Sequence, residues 1–427
     1  MPQILESPRG SCVLGGINAA LAAVGRLCPI VHAGPGCCMQ ITAGEVLQSG
    51  GKIPYFLSGV SIPSSNMLER EVIFGGEQKL RDEIQGCLDI IDADAFFILN
   101  GCVPAIIGDD IKNVAEDFRK KGFPVYAIET PGFAGDSVLG YESAFKAFTD
   151  YLVKPSTVKQ KNLVNLMGIF PYHEPFWEGN IQELTRILQE LGLEVNSFFG
   201  YGQSIKNIQR SGEAALNIIV SPHLLKGTEK VYKEKFDVPS LRFSGVPIGA
   251  TDTSNFVRKV GEALNLDKNL VEKVITANEK YVYYFYEQAI GKLSWKRFAV
   301  VGEANNVIGL TRFLANDYSF TPVITIVTDT LYQQEDKEQI KKEISRLEYI
   351  KPPEIIFEGD YYKVTQELKK HDITLLLGSD NEMEIAMEKG IQFLHTTFPV
   401  TERLVFNRCI AGYKGSLTLI EDLYDNL

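Results

Sequence analysis

The sequence lacks several things at once: a Cys-x-x-Cys pair, a run of 18 or more apolar residues, and any excess of basic over acidic side chains. Each absence removes a class of function. Without a long apolar run, no segment is expected to span a membrane, since a spanning helix needs about 20 such residues. The first ten residues, Met-Pro-Gln-Ile-Leu-Glu-Ser-Pro-Arg-Gly, contain no basic stretch leading into an apolar one, so the expected location is cytoplasmic. The net charge is −11, from 54 acidic and 43 basic residues, which argues against nucleic acid as the main partner. The cysteines number seven, an odd count that argues against a disulfide framework in a cytoplasmic protein. Without Cys-x-x-Cys, their spacing is not that of an ordinary zinc or ferredoxin site.

What is present is an alternation of short apolar runs with amphipathic stretches. Buried strands are expected near 28–31, 95–99, 125–128, 162–168, 216–220, 297–301, 323–327, 354–357 and 373–377, with helices between them. That alternation implies an α/β protein with parallel sheets covered on both faces. Two stretches, from Asn162 and from Phe298, resemble the opening strand–loop–helix–strand of a doubly wound domain. Neither carries Gly-x-Gly-x-x-Gly, so a dinucleotide site is not indicated. Breaks near 152–161 and 291–296 divide the chain into an α/β domain at 1–155, a middle domain at 156–294 and a third at 295–400. A helical tail, 401–427, is expected to pack back on an earlier domain, and a long helix is expected over 264–293.

The cysteines crowd toward one end, at 12, 28, 37, 38, 87 and 102, with only Cys409 beyond. Cys12 lies in a loop before the small-residue helix read at 17–24. Cys37 and Cys38 close the loop His32-Ala-Gly-Pro-Gly-Cys-Cys38, and Cys102 follows Asn100-Gly101 directly after an apolar strand. Cys28, Cys87 and Cys409 read as small apolar fillers. Cys12, Cys37 and Cys102 sit in glycine-flanked loops at strand ends or helix starts, where an open α/β sheet binds ligands. Gly34, Gly36 and Gly101 would let backbone N–H groups approach the sulfides of a cluster without a Cβ in the way. Helix N-termini after Cys12 and Cys102 would favour thiolates. Three ligands leave a four-coordinate iron site one short, which points to a cluster completed by a second chain.

At these residues the sequence resembles the nitrogenase molybdenum–iron protein family, on its β-subunit side. The resemblance rests on Cys12, on His32-Ala-Gly-Pro-Gly-Cys37, on Cys102-Val-Pro-Ala-Ile-Ile-Gly-Asp-Asp110 and on Thr130-Pro-Gly-Phe-Ala-Gly135. It extends to Val72-Ile-Phe-Gly-Gly76, Pro222-His-Leu-Leu-Lys226, Gly302-Glu-Ala-Asn-Asn-Val-Ile-Gly-Leu310 and Gly412-Tyr-Lys-Gly415, nearly the whole chain. It implies three Rossmann-like domains and pairing with an α-like homologous subunit, in an α2β2 assembly. It implies a shared iron–sulfur cluster, of the 8Fe-7S P-cluster type or 4Fe-4S, held by Cys12, Cys37 and Cys102. Electrons would come from an ATP-dependent iron–sulfur reductase dimer docking over Phe74, and the substrate site would lie in the α-like partner. Catalytic residues are therefore not expected in this chain. Two other roles fit the same resemblance: a scaffold on which a metal cofactor is assembled, or a subunit of a tetrapyrrole or carbon–sulfur bond reductase.

The sequence departs from the family pattern at two positions. Gly132 stands where many β subunits have a ligating Ser, and Cys38 doubles Cys37, as either an alternative ligand or an inert neighbour. Ser221 occupies the stretch where the α-type chain has its cofactor Cys. His395, His223 and His32 accordingly read as structural, His32 packing its loop through a backbone hydrogen bond. His173, beside Tyr172 and Trp177, either lines a cavity or sits at the surface.

Overall fold

A computed structural model describes residues 8–52, 62–290, 295–331 and 333–425. Among the described residues, twelve strands form three sheets. The first contains β1 (Leu27–His32), β2 (Ala95–Asn100) and β3 (Val125–Ile128), in that order. The second contains β4 (Gln160–Met167), β5 (Glu194–Asn196), β6 (Ala214–Val220) and β7 (Ser240–Phe243), ordered β5-β4-β6-β7. The third contains β8 (Arg297–Gly302), β9 (Thr321–Val327), β10 (Glu354–Phe357), β11 (Leu375–Gly378) and β12 (Gln392–His395), ordered β10-β9-β8-β11-β12. All the pairings within these sheets are parallel. Helices form the crossovers, so the α/β architecture with parallel, helix-flanked sheets agrees with the sequence.

In the first sheet the period-two alternation of a strand divides two cores. Leu27, Val31, Phe97 and Leu99 join the larger one, whereas Cys28, Ile30, Phe96 and Ile98 face a smaller one with Leu80, Ile84 and Cys87. Both faces are covered, which is why β1 and β2 read as unbroken apolar runs. Cys28 and Cys87 thus fill the far side of the sheet, while Cys12, Cys37 and Cys38 border the larger core.

β7 and β12 are not among the strands expected from the sequence. Each is an edge strand with mostly half-buried residues, Ser240-Leu-Arg-Phe243 and Gln392-Phe-Leu-His395, so neither carries an apolar run. The long helix is Lys268–Ile290; Asn265, with φ of 51°, breaks it from the residues before. The break expected near 291–296 falls mostly outside the described residues.

The tail differs from a continuous helix. Residues 401–411 are irregular, and only Gly412–Asp425 is helical. The N–H groups that a longer helix would use are taken elsewhere: Ile410 and Ala411 both donate to Asn180 Oδ1, at 2.9 and 3.0 Å, and Gly412 donates to the Pro247 carbonyl. Gly179 lets this crossing lie close, since a Cβ there would sit 2.2 Å from the Arg408 carbonyl oxygen. The terminal helix packs back on Trp177–Glu190, Gly249–Ala263 and Lys268–Ile290, as expected.

Candidate functional site

The carboxyl ends of β1 and β2, adjacent in the first sheet, each lead into a cysteine helix. Cys102 is the first residue of the helix Cys102–Ile107, and the N–H of Gly101 before it donates to the His32 carbonyl at the end of β1. Cys37 lies inside the first turn of Pro35–Ile41, not in a loop as read from the sequence: Pro35 has the φ a first helical residue needs and starts the helix early. Cys12 caps the helix Val13–Ala22. It bridges in antiparallel fashion to Asp136 of the loop that follows β3, and Val13 N–H donates to Gly135 O at 3.1 Å. Asn100 holds that loop's start, accepting the Thr130 N–H on Oδ1 at 2.7 Å and the Thr130 hydroxyl on its carbonyl at 3.0 Å.

These connections bring the three thiols to one place. A Cβ built on Gly132 would lie 3.0 Å from Cys12 Sγ and 3.1 Å from Cys102 Sγ; one on Gly101 would lie 3.8 Å from Cys37 Sγ. Burial pushes the Cys37 thiol up, and negative charge on Cys102, Cys38 and Cys12 pushes it further. Three thiolates gathered so closely repel one another unless a cation lies between them. Among the described residues, no three His, Cys, Asp or Glu side chains are placed to hold a single metal ion. The soft all-sulfur donor set, arranged about a glycine hollow and at three helix N-termini, fits a multi-iron cluster, whose thiolates bind different irons.

Cys38 takes a different course. Its thiol is bonded to the Ser64 hydroxyl, and burial raises it above the usual thiol range. Added Cβ atoms at Gly34 and Gly36 would meet almost nothing in this chain, whereas Gly101 is packed against Ala33 at 2.8 Å. Around the thiols the surface is apolar and open: Met39, Ile106 and Phe133 are all well exposed. Each belongs to, or adjoins, an element bearing one of the cysteines or Gly132.

Phe74 ends the short helix Glu69–Phe74 and is 82% exposed. Behind it Gly75 takes a φ of 91°, and the Gly76 N–H donates to both oxygens of Asp109, at 3.0 and 3.1 Å. The same carboxylate meets His32 Nε2 at 3.0 Å, and His32 Nδ1 lies 2.8 Å from Ser65 Oγ. His32 therefore pins its loop through side chains, not through the backbone bond expected. Burial lowers its pKa.

The remaining histidines named from the sequence are half-buried. His223 is 3.3 Å from Asp329 and His395 is 3.1 Å from Asp380, each at an ion-pair distance. Ser221 Oγ accepts the Leu224 N–H at 3.1 Å. His173 is half-buried: its ring stacks between Phe170 and Phe398, and Nδ1 is 2.8 Å from Glu45 Oε1. Nearby, burial raises Glu174 to about 8 and Glu303 to about 7. Sequence reading misses this set of carboxylates: Glu45 and Glu174 stand alone in their segments, and Glu303, though inside the Gly302–Leu310 stretch, has no partner at a telling spacing. The one available signal, the His173-Glu174 pair beside a strand end, is weak.

The family model for nitrogenase component 1 type oxidoreductases matches residues 11–427. A nitrogenase molybdenum-iron protein beta chain from Methanococcus maripaludis is 22% identical, over 99% of this chain and 94% of the relative. A nitrogenase vanadium-iron protein beta chain from Trichormus variabilis is 24% identical, over 96% and 91%. The nitrogenase iron-molybdenum cofactor biosynthesis protein NifE from Clostridium pasteurianum is also 24% identical, over 97% and 86%. Among solved structures, "Nitrogenase Cp1 at pH 6.5" superposes with a TM-score of 0.81 at 19% identity, covering 100% of this chain and 93% of that one. The chain belongs to the nitrogenase component 1 type oxidoreductases.

Proposed function

We propose that this chain is the β-like subunit of a nitrogenase-like reductase and supplies half of an iron–sulfur cluster shared with an α-like partner. In this reading Cys12, Cys37 and Cys102 are the ligands, the domain at 1–155 is the cluster-binding one, and Cys38 stays outside the first set. The observation that carries it is the convergence of the Cys12 and Cys102 sulfurs on the hollow at Gly132, with the Cys37 sulfur close to Gly101. An open apolar rim around that hollow supports a partner chain there, as such residues are costly to leave in water. When bound, an 8Fe-7S or 4Fe-4S cluster would accept and pass on single electrons.

The chain's own residues do the rest. The three helix starts offer N–H groups and dipoles to negative charge. Asn100 and Thr130 fix the loop that carries Gly132, and with a partner in place the apolar rim excludes water. Phe74 offers an anchor for an ATP-dependent iron–sulfur reductase dimer, with Gly76, Asp109 and His32 bracing it from behind. The full assembly is α2β2, and the substrate-reducing site lies in the α-like chain.

The test is anaerobic co-purification with an α-like chain, followed by iron, sulfide and heterometal analysis. Cluster iron that falls in each Cys→Ala variant at 12, 37 and 102 is the expected result; full iron in all three would overturn the ligand assignment. One observation favours a second reading. The cofactor-biosynthesis relative is as similar as the vanadium-iron beta chain, so the same fold and cysteines suit a scaffold that builds a cofactor and releases it. Sustained substrate turnover by the purified complex separates the two.

A further inference from the structure

The three residues before Cys12 are each fastened to a different part of the molecule. The Arg9 guanidinium bonds Ser379 Oγ at 2.9 Å and the buried Glu382 carboxylate, both in the third-sheet unit. Gly10 lies against His173, where a Cβ would come within 3.1 Å of Cε1. The Ser11 N–H donates to Glu45 Oε2 at 3.1 Å.

Glu45 is fully buried and sits in the π-helical turn Thr42–Val46, which continues the helix bearing Cys37. One carboxylate thus ties the Cys37 helix to the segment that leads into Cys12. Its other oxygen meets His173 Nδ1 at 2.8 Å. The imidazole cannot swing away, because Phe170 and Phe398 stack on its two faces at 4.7 and 4.8 Å between ring centroids. π-Helical turns are often found at functional sites, where the extra residue re-aims a side chain.

We propose that Glu45 and His173 are positioning residues for the Cys12 thiolate, joining its segment to the Cys37 helix and balancing the charge near the cluster ligands. The inference rests on Cys12 and Cys37 being ligands. Glu45 holds the Ser11 backbone beside Cys12, and protonated His173 neutralises the buried Glu45 carboxylate. Glu303, Asp329 and Glu174 are the other charged groups that act on His173, and Glu303 and Asp329 join Glu45 in favouring its protonated form. A local charge in such an interior is one of the levers on cluster potential.

The test uses the anaerobically co-purified complex and reads the cluster's midpoint potential by EPR-monitored titration. His173→Phe keeps a ring between Phe170 and Phe398 but leaves Glu45 uncompensated, so the midpoint should move to lower potential with iron content unchanged. Glu45→Gln keeps an oxygen for the Ser11 N–H and removes the negative charge, so the midpoint should move the opposite way. The double variant should return toward the wild-type value. If His173→Phe does not fold, Glu45→Gln and the double variant still carry the comparison. Unmoved potentials in variants with full iron would overturn the inference while leaving the ligands in place. Full cluster iron in all three Cys→Ala variants would instead remove the ligand reading beneath it.

Discussion

His32 Nε2 stands 3.0 Å from Asp109 Oδ2, and that carboxylate also takes the N–H of Gly76, so the end of β1 is locked to the turn behind Phe74. Cutting the link should be costly. Asp109→Ala leaves a buried ring nitrogen and a backbone N–H without their acceptor, and about 2–3 kcal/mol of stability should be lost in a denaturant titration. Acid should weaken the same region. Burial lowers the folded His32 pKa below 6.5, so the unfolded chain takes up the proton first and this contribution fades as pH falls below 6.5.

Phe74 should separate docking from folding. Its ring is 82% exposed, so Phe74→Ala should leave the melting temperature unchanged. As a central aromatic anchor it should nevertheless lower reductase-dependent electron delivery by about tenfold or more, measured with dithionite reduction of the cluster as the reductase-independent control. Equal losses by both routes would place Phe74 outside the docking surface.

Gly132→Ala tests the hollow. The backbone there is not in the left-handed region, so alanine brings no conformational strain, and any effect comes from a methyl group 3.0 and 3.1 Å from two sulfurs. We expect an unchanged circular dichroism spectrum and reduced cluster iron. Wild-type iron content with a wild-type EPR spectrum would mean that the sulfurs leave the hollow when the cluster binds.

Glu174 gives a pH signature. Burial, and then the charge of Glu303, raise it to about 8, well above its unfolded value of 4.5. Its protonated form is favoured in the folded chain, so stability is lost as pH rises from 4.5 through about 8. Glu174→Gln retains an oxygen for the Phe170 N–H and the Asn305 amide, and should raise the melting temperature at about pH 8.5 with little change at about pH 4. An equal change at both values would show that the carboxylate does not titrate there.

The sheets are legible in the sequence where their strands are buried on both faces. β1, β2 and β8 announce themselves through apolar runs, and β6 does so apart from its buried Asn217, since parallel strands between helix layers are covered on both faces. Edge strands such as β7 and β12 show no such run, and no local pattern marks them. The cysteine candidates are legible because glycine-flanked thiols after strand ends are unusual. The frame around them is not. Glu45 reaches His173 across 128 positions, and Asn100 meets Thr130 across 30, pairings created by the fold and invisible to spacing. Cys37 reads as a loop residue because the surrounding glycines mask the helix that Pro35 begins.

The crossing of the tail over Gly179 and Asn180 bears on how the protein is made. The backbone groups that bond Asn180 come 230 and 231 positions later, so the helix beginning at Trp177 leaves the ribosome long before its cover exists. Until the last helix emerges, the apolar side of that unit has no shield, and a nascent chain stalled short of Ile410 presents it to chaperones and proteases. Completion of the second sheet's unit thus waits on a segment made 230 positions after Asn180.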